Sequence, residues 1–171
     1  PLVIVSDILR DTDTTRAAHI LLPALGWGEK NGTVTNSERC ISRQRAFLAA
    51  PGEAKPDWWI LSQVAQRLGF AEAFAWQHPA DIFREHAALS GFENAGTRAF
   101  DISGLAQLSN EQWDTLQPIQ WPVNAARPQG TPRLFTDKTF FHPDGKARLI
   151  AVTPALPASQ PTAAYPLIMN T

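Results

Sequence analysis

LVIVSDILRDTDTTRAAHILLP, residues 2–23, decides the fold class of this chain. Leu2–Val5 is a continuous apolar run rich in β-branched residues, which is typical of a strand buried on both faces. Asp11–Thr15 offers several N-caps for a short helix over roughly Thr14–Ala18, and Ile20–Pro23 is predicted as a second strand, ended by its proline. This β–α–β order predicts the closing unit of a doubly wound sheet and therefore an α/β fold.

Two polar residues, Ser6 and Asp7, come directly after the first predicted strand. Open α/β sheets bind ligands at the carboxyl ends of their parallel strands, so this pair is a candidate for binding. A turn or a helix cap explains the same two residues without a ligand, and both interpretations stay open.

The polar stretch Trp27–Arg45, WGEKNGTVTNSERCISRQR, follows the second predicted strand and is predicted as a loop. Gly28 and Gly32 mark tight turns, and Lys30 between them is a cation close to backbone N–H groups. That combination suits an anionic ligand such as a phosphate, and a solvated polar loop is the alternative. Three arginines of the stretch are expected to pair within a larger protein and to be unpaired in this chain alone: Arg39, Arg43 and Arg45.

The middle of the chain predicts helices with recognisable ends. Asp57 is a predicted N-cap for a helix over Trp58–Leu68, which Gly69 stops. Pro79 starts another helix over about Ala80–Leu89. Ser109–Gln112 has the form of a capping box and starts a short helix through Leu116.

The last third predicts strands and a linker. Arg133–Phe135, Thr139–Phe141 and Ala147–Val152 are predicted as a small β meander. Pro154–Ala164 is rich in Pro and Ala and is predicted as an extended linker, after which Tyr165–Thr171 begins a new strand. Because the chain starts and stops inside candidate strands, we expect it to be a piece of a larger protein.

Composition excludes several classes of function. A net charge of −1 over 171 residues argues against a nucleic-acid partner, which would require a strongly basic surface. The single cysteine excludes a Cys-only metal site and fits a reducing, cytoplasmic compartment. No apolar run is long enough to span a membrane. Ser37 beside Glu38 is not sufficient for the nucleophile, base and acid of a hydrolase.

An ordered series of short runs resembles the molybdopterin oxidoreductase family. The runs, in the family's order over nearly all 171 residues, are VIVSD, ILLP, WGEKNGTVTNSER, PGEAKPDW, HPADIFRE, FDISGL, QWPV, GTPRLF, PDGKARL and YPLIMNT. Within the family they are most similar to the assimilatory nitrate reductase branch. The periplasmic nitrate reductase and formate dehydrogenase branches are the alternatives, since they share the first third.

The resemblance implies an arrangement of domains. Residues 1–69 would be the end of a Rossmann-like third domain, residues 70–153 connecting helices with the meander, and residues 154–171 a linker with the first strand of the C-terminal domain. The rest of the polypeptide and an electron-donor protein or domain would be the partners of this chain. An autonomous, non-catalytic α/β binding module is the alternative from another class.

The resemblance also implies a cofactor, molybdenum-bis(molybdopterin guanine dinucleotide), together with a 4Fe–4S cluster in the full-length enzyme. Ser6, Asp7, Lys30 and Asp57 stand at the family's guanine-dinucleotide contacts. The family's cluster cysteines and molybdenum ligand lie upstream of this chain, so we expect no catalytic residue, no metal ligand and no cofactor in the piece by itself. Cys40 and His19 depart from the family pattern, at positions where an arginine and an aspartate are usual.

Overall fold

Two small sheets and four α-helices form the regular structure of the computed structural model, which describes residues 1–169. This mixed architecture confirms the α/β fold class. Single turns of 3₁₀-helix lie at Trp27–Glu29 and Ser103–Leu105. In chain order the other elements are β1 (Ile4–Asp7), α1 (Asp13–Arg16), β2 (Ile20–Pro23), β3 (Gly32–Thr35), β4 (Cys40–Gln44), α2 (Asp57–Arg67), α3 (Pro79–Gly91), α4 (Asn110–Asp114) and β5 (Ile119–Gln120).

The first sheet is the predicted β–α–β unit, with β1 and β2 paired in parallel from Ile4 opposite Ile20 to Asp7 opposite Pro23. The short helix α1 starts from a capping box in which Thr12 and Thr15 exchange hydrogen bonds. This unit brings the carboxyl ends of both strands to one edge of the sheet.

The prediction of a first strand over Leu2–Val5 buried on both faces is wrong. The strand runs from Ile4 to Asp7, and 53% of Ile4 is exposed. Within the described residues this sheet has only two strands, and β1 alternates exposed and half-buried residues with none fully buried. His19 lengthens the pairing, because its Nδ1 accepts the N–H of Val3 at 3.1 Å and its own N–H reaches the Val3 carbonyl at 2.9 Å.

The prediction of a loop over Trp27–Arg45 is also wrong in its second half, where β3 and β4 form an antiparallel hairpin. The side chain of Asn36 closes the turn by accepting the N–H groups of Glu38 (2.9 Å) and Cys40 (3.0 Å). Ile41 is 3% exposed and anchors the hairpin in the core, while polar neighbours alternate with it on the solvated side. β5 adds to β4 as the third strand.

The helices agree with the predicted stop and start signals, with one correction. α2 begins at Asp57 with Pro56 as its N-cap, so Asp57 is the first helical residue and its side chain makes no capping bond. Gly69, at a φ of +97°, follows the end of α2 as predicted. α3 starts at Pro79, and the Nδ1 of His78 caps it by accepting the Ala80 N–H at 3.1 Å.

One apolar core holds α3, α4 and the three-stranded sheet together. Ser109 caps α4 through the predicted capping box, and the helix ends at Asp114, two residues before Leu116. The core thus combines a residue of the predicted cofactor domain (residues 1–69) with residues of the predicted connecting region (residues 70–153). Its buried members are Ile41, Ala80, Phe83, Ala87, Ile102, Leu105, Trp113 and Val123.

The predicted meander is absent: residues 133–152 contain no strand. The rings of Phe135 and Phe140 stack at 4.6 Å between centroids, and the Phe140 N–H bonds to the Gly145 carbonyl across a tight turn. These local contacts hold the segment instead of ladder pairing. Residues 154–169 are exposed and irregular, so no strand begins at Tyr165 within them; the last two residues of that prediction lie outside the described range.

Candidate functional site

Three chain segments end side by side near the candidate residues. The Ala24 N–H bonds to the Asp7 carbonyl at 3.1 Å, which continues the β1–β2 pairing beyond its last residue. Lys55 lies on the other side of this segment, where its N–H bonds to Pro23 at 3.0 Å and its carbonyl accepts from Leu25 at 3.1 Å. Because these segments run parallel, their carboxyl ends meet at one edge, which we call the carboxyl edge.

Lys30 and Asp57 form an ion pair near this edge, with Nζ of Lys30 at 2.8 Å from Oδ2 of Asp57. The Lys30 side chain is 30% exposed and that of Asp57 53% exposed, so solvent screens the pair and its contribution to stability is small. The Asp57 carboxylate lies in the first turn of α2, where the helix dipole favours a negative charge. Within residues 1–169, its Oδ1 accepts no hydrogen bond.

Ser6 and Asp7 are the last two residues of β1. Asp7 Oδ1 accepts the N–H of Leu9 at 2.9 Å, which is the turn interaction that the sequence left as an alternative. Ser6 is exposed, and its hydroxyl has no partner in the described part of the chain. The structure therefore joins Lys30 to Asp57 directly, whereas no hydrogen bond among the described residues joins this pair to Ser6 or Asp7.

The expectation of unpaired arginines is wrong. Arg43 has a side chain only 2% exposed, lies with Cζ 3.3 Å from the Trp113 ring centroid and pairs with Asp114 at 3.2 Å. Its guanidinium also donates to the carbonyls of Gly32 and, at 2.8 Å, Gln44. Burial lowers the pKa of Arg43, and the hydrogen bond and charge of Asp114 oppose that shift.

The other two arginines also have partners. Arg39 donates to the carbonyls of Trp121, Thr131 and Pro132, and Arg45 donates to the Asp114 carbonyl at 2.6 Å. Sequence reasoning missed these contacts because the partners lie 69 to 93 positions away. The signal present in the sequence is the density of arginine between residues 39 and 45.

Two concave regions of the described chain include none of the four candidate residues in their linings. A cleft of about 780 Å³ lies between residues 96–101, 122–127 and 134–145 and contains none of the four candidate residues. In its wall, burial alone would raise the pKa of Asp101, but hydrogen bonds from Ser103 and Asn124 hold that pKa below its usual range. A smaller groove of about 320 Å³ lies between the end of β2 and α2.

Neither a metal centre nor a membrane span stands out in residues 1–169. No group of three or more His, Cys, Asp or Glu side chains there is arranged to hold a metal ion. In the same range no helix has the length and apolar character to cross a bilayer.

Comparison with known proteins gives the family. Residues 1–67, which include all four candidate residues, match the sequence profile described as Molybdopterin oxidoreductase. The chain is 58% identical to the nitrate reductase of Klebsiella oxytoca over 99% of its own length and 19% of that protein. It is 48% identical to the nitrate reductase of Shewanella frigidimarina (strain NCIMB 400) over 100% of its own length and 19% of that protein.

A relative with lower identity is named for a different activity. The F420-dependent formate dehydrogenase 2 subunit alpha of Methanococcus maripaludis is 34% identical over 98% of the chain and 23% of that protein. The chain thus spans about a fifth of the length of the curated relatives it matches. With the profile match and these identities together, the chain belongs to the molybdopterin oxidoreductase family.

Proposed function

We propose that this chain is a segment of a molybdenum-dependent nitrate reductase, which reduces nitrate to nitrite by two electrons in nitrate assimilation. The observation that carries the proposal is the 58% identity to a nitrate reductase over 99% of the chain. The formate dehydrogenase relative points to another substrate, but at 34% identity it is the weaker guide. An autonomous binding module remains the competing function, and a gene encoding this chain alone would favour it.

The domain arrangement is part of the proposal. We assign residues 1–69 to the end of a Rossmann-like cofactor domain, residues 70–153 to a connecting region and residues 154–171 to the passage into the C-terminal domain. The parallel β1–α1–β2 unit supports the first assignment. The remainder of a longer polypeptide would supply the 4Fe–4S cluster and the docking site for an electron donor in a cytoplasmic enzyme.

The candidate residues fit the guanine dinucleotide of a molybdenum-bis(molybdopterin guanine dinucleotide) cofactor. Asp57 has a free carboxylate oxygen, and a carboxylate accepts two parallel N–H donors of the kind that the guanine edge carries. Ser6 has a free hydroxyl at the end of β1, and Asp7 has a second oxygen that the turn to Leu9 does not use. When bound, the molybdenum of this cofactor supplies the redox chemistry, while these residues only hold and orient the nucleotide.

Lys30 has a separate part in this site. Its ammonium fixes Oδ2 of Asp57 at 2.8 Å and so orients the carboxylate before a base arrives. The same cation offsets the negative charge of a diphosphate. A Lys30 variant would therefore weaken the site in two ways, through orientation and through charge.

The test compares two acidic residues in the full-length enzyme. Asp57→Ala removes a charge-assisted hydrogen bond of about 1.5–3 kcal/mol, so roughly tenfold to hundredfold weaker retention of the cofactor is expected. Glu72→Ala, at an exposed turn after α2, is the matched control. Molybdenum and guanine nucleotide per protein are measured after prolonged dialysis. Equal contents in both variants would reject Asp57 as a cofactor contact.

A further inference from the structure

One exposed aromatic residue lies on the same turn as Lys30. Trp27 begins the 3₁₀ turn Trp27–Glu29, and 65% of it is exposed. Lys30 directly follows this turn with an extended backbone, so the Cα atoms of Trp27 and Lys30 lie one 3₁₀ turn apart. An exposed indole is therefore attached one turn before the lysine of the Lys30–Asp57 ion pair.

The turn is held rigidly by a neighbouring segment. The N–H groups of Phe47 and Leu48 both bond to the Gly28 carbonyl at 2.9 Å, and the Ala46 N–H bonds to the Asn31 side chain at 3.0 Å. A Cβ at position 28 would lie 2.8 Å from the Phe47 ring, so glycine permits this close approach.

A second pair of contacts fixes the Trp27 backbone. The Gln44 side chain donates to the Trp27 carbonyl at 2.8 Å, and Glu29 accepts the Gly26 N–H at 2.7 Å. A turn whose backbone is anchored in this way loses little additional backbone freedom when a ligand covers its tryptophan. Such preorganisation is expected of a binding surface and is not needed for a solvated side chain.

We propose that Trp27 stacks on the purine base of the guanine dinucleotide, an inference that depends on the proposed function. Asp57 would engage the N–H groups in the plane of the base, whereas Trp27 would cover its face, so the two side chains use different surfaces of one ligand. Indole is a large, flat and partly polar platform that suits a base. Lys30, which pairs with Asp57, would match the negative charge that accompanies the base.

The competing occupant of this surface is an apolar segment of the longer polypeptide that simply covers the indole. Such a segment needs apolar volume but no aromatic face. Leucine at position 27 would pack against a covering segment, but it could not stack on a purine. Phenylalanine could do both, so the leucine and phenylalanine variants together distinguish stacking on a base from packing against an apolar segment.

The experiment uses the full-length enzyme with Trp27→Ala, Trp27→Leu and Trp27→Phe variants. The matched control is Phe92→Ala, because Phe92 is 63% exposed and distant in sequence from the site. Guanosine monophosphate released by acid hydrolysis is measured per protein after timed dialysis, and thermal unfolding is followed separately. Loss of one base stack predicts roughly fivefold to 150-fold faster loss of nucleotide in the alanine and leucine variants, with the phenylalanine variant and the control near wild type.

Each other outcome overturns the proposal in a recognisable way. If the leucine variant retains nucleotide like wild type, the surface is apolar cover and Trp27 does not stack on a base. If Asp57→Ala loses nucleotide while Trp27→Ala does not, stacking is refuted and the proposed function stands. If the wild-type enzyme releases no guanosine monophosphate, the stacking inference and the guanine-dinucleotide site both fail.

Discussion

Replacing Arg43 by alanine tests how the hairpin is joined to the helical part of the chain. The Arg43 guanidinium lies 3.3 Å over the Trp113 ring, donates to two carbonyls and pairs with Asp114. Charge-assisted hydrogen bonds contribute about 1.5–3 kcal/mol each, and a desolvated cation–π contact adds roughly 1–2 kcal/mol.

Two effects reduce this sum. Burial of the guanidinium itself costs free energy, and its Nε has no partner among the described residues. The Asp114 side chain is 57% exposed, so water replaces Arg43 there after the substitution. We expect Arg43→Ala to lower the free energy of unfolding by about 2–4 kcal/mol, mainly because the Gly32 and Gln44 carbonyls lose their donor.

Urea denaturation of the chain, followed by far-ultraviolet circular dichroism and tryptophan emission, measures this loss. Arg45→Ala is the control, because Arg45 is exposed and, among the described residues, makes a side-chain hydrogen bond to the Asp114 carbonyl alone, so its expected cost is below about 1 kcal/mol. Arg43→Lys should recover part of the loss, since an ammonium cannot reproduce the fork of donors. A change below about 0.5 kcal/mol for Arg43→Ala would refute the view that this cation holds the hairpin.

Two further substitutions test local features. Gly130→Ala combines a φ of +81° with a Cβ only 2.7 Å from the Gln120 carbonyl, whereas at Gly52 (φ +51°) a Cβ meets nothing within 4 Å. Urea titrations should show a loss of about 2–4 kcal/mol for Gly130→Ala and about 1 kcal/mol for Gly52→Ala, and equal losses would contradict the clash. At Asp81, burial alone would raise the pKa, but the N–H groups of Gln77 and His78 and the Arg84 guanidinium lower it overall. A folded-state pKa below the unfolded value of about 3.9 stabilises the protein above that pH, and the effect disappears as pH falls through the folded value. Asp81→Asn should therefore cost about 1–2 kcal/mol at pH 7 and almost nothing in strong acid, and a gap independent of pH would show that the carboxylate charge is irrelevant.

Features set by a few neighbouring residues could be predicted from the sequence. The bounds of β2, the start of α3 at Pro79, the Ser109 capping box and the stop at Gly69 depend on proline geometry, side-chain caps and a left-handed glycine. The family was identified from an ordered set of short runs. Physical reasoning on any single run would not have separated a binding residue from a turn residue, as Asp7 illustrates.

Tertiary structure alone decided the features that need distant partners. The sequence of Trp27–Arg45 is polar enough for a loop, and it became a hairpin because Ile41 reaches the core and β5, 78 positions away, pairs with β4. The predicted meander is absent because residues 133–152 pair with no strand of the described chain. Local aromatic stacking holds the segment instead. The sequence predicts Asp57 as a helix cap, but its carboxylate forms an ion pair with Lys30, which lies 27 positions earlier. Capping and turn energies are local and readable in the chain, whereas the pairing of strands and charges depends on which surfaces meet after folding.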